Sequence, residues 1–207
     1  MLKPIHRQIT IAALEDLFSQ NALEIIVAAN LGQDALRRQV GHDEFHFDNN
    51  AFDKAYAYIE AQWKMIISAL EHADPVSAWQ AFGRLTHTAQ DFYAHSNYIA
   101  LWMSRYARPA LPTPEQVDPL DPELIHSPML QSGKLYYPLE ALSFIPGLKR
   151  FVLPWLPHDA HAWMNLDDPS RGRAFPYAFQ AAVKRTRHEY GQVSLQLNPE
   201  TRALFLG

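Results

Sequence analysis

The run from Phe82 to Met103 limits what this chain can fold into more than any other feature, because it writes two faces on one helix. Phe82, Leu85, Ala89, Phe92, Ser96, Ile99 and Met103 alternate steps of three and four, the spacing of a stripe that packs into a core. His87, Asp91 and His95 stand four apart in the same run. At about 100° per residue they drift only about 80° in all, so three potential ligands share a second face. Arg84, Tyr98 and Trp102 extend that second face, and aromatic neighbours suit a shielded pocket better than open water. We read the run as the central helix of an all-α bundle, buried on one side by apolar groups and on the other by a polar site.

The flanking sequence supplies the other helices. Pro75 suits the first turn of the central helix, which the pattern carries to Arg108-Pro109. Ile5, Ile9, Ala13 and Leu17, then Leu23, Ile26 and Val27, predict one or two helices ending at Gly32. Asp48-Asn49-Asn50 reads as an N-cap cluster for a helix from Phe52 to Asp74. Helical spacing returns after Asp167-Asp168-Pro169 and runs through Phe175, Phe179, Ala182 and Val183 to about Tyr190. Ten of the fifteen prolines lie between Pro109 and Pro157, so residues 108–157 are expected to form an irregular insertion with short helical turns, for instance Leu139 to Ser143. No alternating strand pattern and no Gly/Ser linker appears. The expectation is one α-helical domain over residues 1–207.

Composition narrows the chemistry. With 48% apolar and 19% charged residues the chain can bury a sizeable core. A net charge of -4 gives no basic stripe for duplex nucleic acid, and leaves a small substrate or a short single strand as partners. There is no cysteine, so a transition metal would have to be held by His, Asp, Glu or backbone groups, and ten histidines are available. Imidazole and carboxylate together favour zinc, iron or manganese over calcium. Two metals about 4 Å apart would grip a phosphate and ionise a water to attack phosphorus.

No apolar secretory stretch opens the sequence, which leads us to expect a cytoplasmic protein. The apolar region from Leu142 to Leu156 is broken by Pro146, Lys149, Arg150 and Pro154 and is too short to span a bilayer. Its Leu142, Phe144, Ile145, Leu148, Phe151, Val152, Trp155 and Leu156 read as a loop packed over the bundle or, second, as a lid or a peripheral membrane contact.

The segment Leu85-Thr86-His87-Thr88-Ala89-Gln90-Asp91-Phe92-Tyr93-Ala94-His95-Ser96-Asn97-Tyr98 resembles the signature of Het-C-like proteins, relatives of zinc-dependent phospholipase C and of the single-strand-specific nucleases. Other blocks fall in that family's order: His6-Arg7-Gln8-Ile9-Thr10, Asn30-Leu31-Gly32-Gln33-Asp34, Glu44-Phe45-His46-Phe47-Asp48-Asn49, and His161-Ala162-Trp163-Met164-Asn165-Leu166-Asp167. The resemblance implies a helical fold around two or three zinc ions. It also implies phosphodiester hydrolysis, with hydroxide on the metal attacking phosphorus in a phospholipid or a short single strand.

Residue by residue, it implies His6 as the ligand of the first helix and Asp34 with His46 as the next pair. His87 and Asp91 would be the bridging helix pair, and His95 with His161 the ligands of a further metal. Asp48 is implied as a ligand or as the acceptor that orients an imidazole. Asp34 and Asp91 are the candidate catalytic carboxylates, Asp34 as general base. The secreted relatives use a processed N-terminal amine and a late His-x-x-x-Glu; here five residues precede His6, and Asn165 stands four after His161, leaving Asp167 as the nearest carboxylate. A second reading keeps the same scaffold in a Het-C-type recognition or toxin-like protein without hydrolysis. A purely structural bundle would scatter His6, His46 and His161 away from His87.

Other motifs carry less. His42-Asp43 and His158-Asp159 are isolated doublets, and His42-Asp43-Glu44-Phe45-His46 lacks the base glutamate of a helical zinc protease motif. Glu123-Leu124-Ile125-His126 is a single copy of a pattern that di-iron bundles use twice. His72 and His188 are read as residues at helix C-termini, where the helix dipole favours them.

Overall fold

The computed structural model describes residues 1–39, 41–107, 110–143, 145 and 147–207. The described residues form α1 (Lys3–Leu14), α2 (Gln20–Leu31), α3 (Leu36–Gln39), α4 (Asp43–His46), α5 (Phe52–Glu71), α6 (Pro75–His95), α7 (Tyr98–Ser104), α8 (Pro122–Ile125), α9 (Leu139–Ser143), α10 (Lys149–Val152), α11 (His161–Met164), α12 (Phe175–Gln196) and α13 (Pro199–Leu206). Among them there is no strand, only two isolated bridges, and the fold is all-α. Among the described residues no helix is long and apolar enough to cross a membrane.

The bundle is organised around α6. Its start is fixed locally, with Pro75 in the first turn and the Asp74 side chain accepting from the Ser77 amide at 3.0 Å. From Leu85 to His95 every residue is buried, because α1, α2, α4, α5 and α12 pack around it. The apolar stripe of Phe82, Leu85, Ala89 and Phe92 is fully covered. Gly83 lets α2 come close, since a Cβ there would stand 2.3 Å from the Ile26 carbonyl oxygen.

The central helix is shorter than its periodicity predicts. Ser96 turns to ψ 166° and a new helix, α7, starts at Tyr98 and ends at Ser104; Arg108 and Pro109 lie outside the described residues. Local hydrogen bonds explain the break. Ser96 Oγ donates to the Phe92 carbonyl at 2.5 Å and accepts from the Tyr98 amide at 3.3 Å. The Asn97 side chain accepts from the Gln131 amide and donates to the Met129 carbonyl, both at 2.9 Å.

The N-cap expected at Asp48-Asn49-Asn50 is not formed. Ala51 stands at the cap of α5 without a side-chain bond, and Asn49 and Asn50 adopt positive φ of 54° and 56°. Their side chains reach across the chain instead. Asn49 Oδ1 accepts from the Leu135 amide at 2.8 Å and Asn50 Oδ1 from the Ser132 amide at 2.6 Å. They pin a strap, residues 131–135, that threads between the end of α6 and the start of α11. Within it the Gly133 amide donates to the His95 carbonyl at 2.8 Å and the His161 amide to the Lys134 carbonyl at 2.9 Å.

At the C-terminal end α12 runs on to Gln196, past the Tyr190 expected from spacing, and α13 follows it. His188 therefore lies inside a helix, whereas His72 does cap α5, its ring bonded to the Ser68 carbonyl at 2.8 Å. The Pro-rich insertion divides its apolar residues. Val152 and Leu156 join Ala160 and Ala162 in a small core of their own, while Leu142, Ile145, Leu148, Phe151 and Trp155 face outwards. Phe144 lies outside the described residues.

Candidate metal centre

The carboxylate of Asp91 is the meeting point of the polar face of α6. Its Oδ1 lies 3.1 Å from His6 Nε2 and 3.8 Å from His95 Nε2; its Oδ2 lies 3.0 Å from His46 Nδ1 and 3.1 Å from His87 Nε2. Four imidazoles from α1, α4 and α6 thus address one carboxylate, two on each oxygen. Asp34, in the turn after α2, places Oδ1 3.8 Å from His87 Nε2. Asp48 Oδ1 stands 2.9 Å from His161 Nδ1 and 3.5 Å from His95 Nδ1, and Asp167 Oδ1 stands 3.2 Å from His95 Nε2. All nine residues singled out in the sequence come together.

Among the described residues three groups bring ligand atoms within 4.8 Å of one another: His6 with Asp34 and His87, His46 with His87 and Asp91, and Asp48 with His95 and His161. Asp34, His46, Asp48, His95, His161 and Asp167 line a cleft of about 530 Å³. His6, His87 and Asp91 are fully buried.

The surrounding residues fix how the rings are presented. Gln90, one position before Asp91, accepts from His6 Nδ1 at 2.7 Å and is itself held by Thr10, Thr186 and Asn30 at 3.1–3.3 Å. That leaves His6 Nε2 for the site. His95 Nδ1 donates to the His46 carbonyl at 2.9 Å, which turns its Nε2 to Asp91 and Asp167. Glu140 from α9 accepts from the Ala162 amide at 2.7 Å and steadies the start of α11. Gly133 passes so near that a Cβ would meet His161 Cα at 2.6 Å. Sequence reasoning assigned no role to Gln90, Gly133 or Glu140. Gln90 lay inside the quoted signature, but nothing in the sequence marked the other two.

Electrostatics and unsatisfied atoms bear on what the centre can hold. Burial, helped by the charge on His6, pushes His87 down to about 3, so its ring is neutral and has a lone pair to give. Burial would raise Asp91, but the Met1 ammonium and the His95, His87 and His6 rings hold it well below the ordinary carboxylate range. Burial would lower His161, but Asp48 overrides it and raises the ring to about 9. His6 Nε2, Asp34 Oδ2, His46 Nε2 and His87 Nδ1 are buried without a hydrogen bond. Each such atom costs about 1–3 kcal/mol, a cost that a bound cation would offset at those that face it. A neutral His87 ring, an ionised Asp91 carboxylate and buried unsatisfied atoms form a donor set that suits a divalent metal such as zinc.

The Met1 amino group also lies in this centre, 2.5 Å from Asp91 Oδ1, 3.3 Å from Asp167 Oδ1 and 3.4 Å from His95 Nε2. Burial opposes its charge, yet the two carboxylates raise it to about 11.

Other expected neighbours lie elsewhere. Because the helix breaks at Ser96, Tyr98 turns its hydroxyl to the Asp118 carbonyl at 2.7 Å and Trp102 packs on Tyr106 and Tyr177. Arg84 bonds Gln62 at 2.8 Å and lines a separate cleft of about 430 Å³ with Arg37 and Arg38. His42 pairs with Glu44 at 3.1 Å, His158 lies by the Trp163 ring, and Glu123 pairs with Arg105.

Fold and site together define an all-α protein built round a buried histidine–aspartate cluster. More particularly, the chain belongs to the family described as the VWA7 N-terminal domain, which matches residues 8–117 and so contains Asp34, His46, Asp48, His87, Asp91 and His95. It is 31% identical over 80 residues to human von Willebrand factor A domain-containing protein 7; the match covers 39% of this chain and 9% of that relative. No solved structure matches the chain.

Proposed function

We propose that this protein is a metal-dependent phosphodiester hydrolase, with zinc held by the three histidine–aspartate groups. The observation that carries the reading is Asp91, whose two oxygens each face a different pair of imidazoles, as a carboxylate does when it bridges metals. The resemblance of the residues around it to Het-C-like proteins and zinc-dependent phospholipases supports the same reaction. Divalent cations in this cluster would neutralise phosphate charge and make a water acidic enough to be a nucleophile near neutral pH.

The chain's own residues do the rest. Gln90 and the His46 carbonyl hold His6 and His95 in the tautomers that offer Nε2 to the site. Asp34 borders the cleft, and its Oδ2 has no hydrogen-bond partner, so it is the carboxylate suited to take a proton from the attacking water. The cleft of about 530 Å³ has room for a headgroup or a nucleotide and is too small for a duplex.

Metal analysis of the purified protein, combined with hydrolysis assays on a phospholipid, a phosphodiester dye and single-stranded DNA, tests the reading. The expected result is about two or three equivalents of zinc and turnover of at least one substrate, both lost in Asp91→Ala. Absence of tightly bound metal would overturn it. Full metal loading with no turnover of any of the three would transfer the site to a recognition role.

A further inference from the structure

We infer that the face formed by α9, α10 and the turn after them is a membrane-docking surface that seats the protein on an anionic lipid bilayer. Its apolar residues exceed what the fold uses. Val152 and Leu156 fill a small internal core, yet Leu139, Leu142, Ile145, Leu148, Phe151 and Trp155 stay exposed, each three or four positions after the last. Trp155 is 78% exposed and Phe151 59%, values far from those of side chains that pack on their own bundle. A cluster of this kind on one short segment marks a surface made to be covered.

Charge selects the partner. Between Leu135 and Pro157 the ionisable acids and bases other than tyrosine are Glu140, Lys149 and Arg150, and Glu140 is fully buried. The segment therefore carries two basic residues, of which Arg150 is exposed, and no exposed acid among its described residues, although the whole chain carries -4. Arg150 lies over the Phe151 ring at 4.6 Å, which keeps a cation next to an aromatic that would enter the headgroup layer. Tryptophan, phenylalanine and leucine flanked by Lys and Arg is the composition of a segment that lies in a bilayer interface, where the basic groups meet lipid phosphates.

Position adds a consequence. Tyr137, 55% exposed, Leu135 and Ala141 line the same cleft as His95, His161 and Asp167, so this face adjoins the mouth of the metal centre. A protein seated through Phe151 and Trp155 would present that cleft beside the lipid surface. The inference does not depend on hydrolysis, since docking is read without turnover.

Flotation of the purified protein with vesicles of phosphatidylcholine alone, and with phosphatidylserine added, tests it. The wild type is expected to bind both and to prefer the anionic vesicles. The double variant Phe151→Ser/Trp155→Ser should weaken binding at least ~10-fold. Lys149→Gln/Arg150→Gln should abolish the anionic preference. Leu195→Ser, at a residue 77% exposed on α12, should change nothing. Unaltered circular dichroism and metal content in the variants separate lost docking from lost folding or a lost metal centre. Absence of binding to either vesicle, or binding that survives Phe151→Ser/Trp155→Ser, overturns the inference. So does a dimer in sedimentation that those substitutions dissociate, because the surface would then belong to a second copy of the chain.

Discussion

The candidate metal centre has a helical half and a threaded half, and the two are organised on different principles. His6, His87 and Asp91 project from the interiors of α1 and α6 and are oriented by side chains: Gln90 with Thr10, Thr186 and Asn30. Asp48, His95, His161 and Asp167 sit at helix ends and in loops, in segments that backbone hydrogen bonds tie together. The His46 carbonyl holds His95, the Lys134 carbonyl holds the start of α11, and the Ala94 carbonyl accepts from the Leu166 amide at 2.8 Å. In the helical half, preorganisation comes with the bundle core. In the threaded half it depends on a strap brought in from more than thirty residues along the chain.

Asp91 joins the halves, so Asp91→Ala should have the largest effect. Activity is expected to fall by roughly 10³-fold or more, the several kcal/mol that metal ions contribute, and zinc should leave both halves. Metal analysis beside a kcat/KM measurement checks this; zinc retained at full occupancy would show that Asp91 is not the bridge.

Gly133→Val strikes the threaded half alone. The new side chain meets the backbone of His161, and the strap must shift. A loss of ~1–3 kcal/mol in urea unfolding is expected, with about one metal equivalent fewer and the His6 group still loaded. Loss of all metal would mean that the halves are not separable.

Gln90→Leu strikes the helical half with little change in volume. His6 would lose the partner that fixes its tautomer, and zinc affinity, measured by competition with a chelating dye, should weaken ~10–100-fold. Stability should fall as well, by ~1–3 kcal/mol, because His6 Nδ1 would be left buried without its acceptor. Asn49→Gly is the mildest: it keeps the positive φ and removes the acceptor for the Leu135 amide. The urea midpoint should fall by an amount equivalent to ~1 kcal/mol with metal content intact.

Legibility in the sequence follows the same division. The part of the helical half that lies on α6 could be read from periodicity, because side chains four apart on a helix share a face wherever that helix is placed. His87 and Asp91 were legible for that reason, as were the course of α5, the buried stripe of α6 and, across the division, His95 at the end of the same helix. The end of α6 was misjudged, since the apolar spacing continues through Ser96 while hydrogen bonds from Ser96 and Asn97 interrupt the helix. Asn49 and Asn50 carry residue types suited both to helix caps and to left-handed turns, and the strap decided between them. His6, Asp34, His46, Asp48, His161 and Asp167 were assigned through resemblance, and no local spacing would have assembled them.

By itself the sequence determined the all-α class, the buried two-faced central helix and the identity of the available ligands. These depend on composition and on interactions a few residues long. Only the tertiary structure decided that nine side chains from helices and loops gather in one cluster, that Gln90 and Gly133 lie against it, and that the Pro-rich segment leaves Phe151 and Trp155 uncovered. Each of those depends on contacts between residues distant in the chain. A spacing rule cannot state them, because the entropy lost in closing such loops is recovered only when the whole bundle packs.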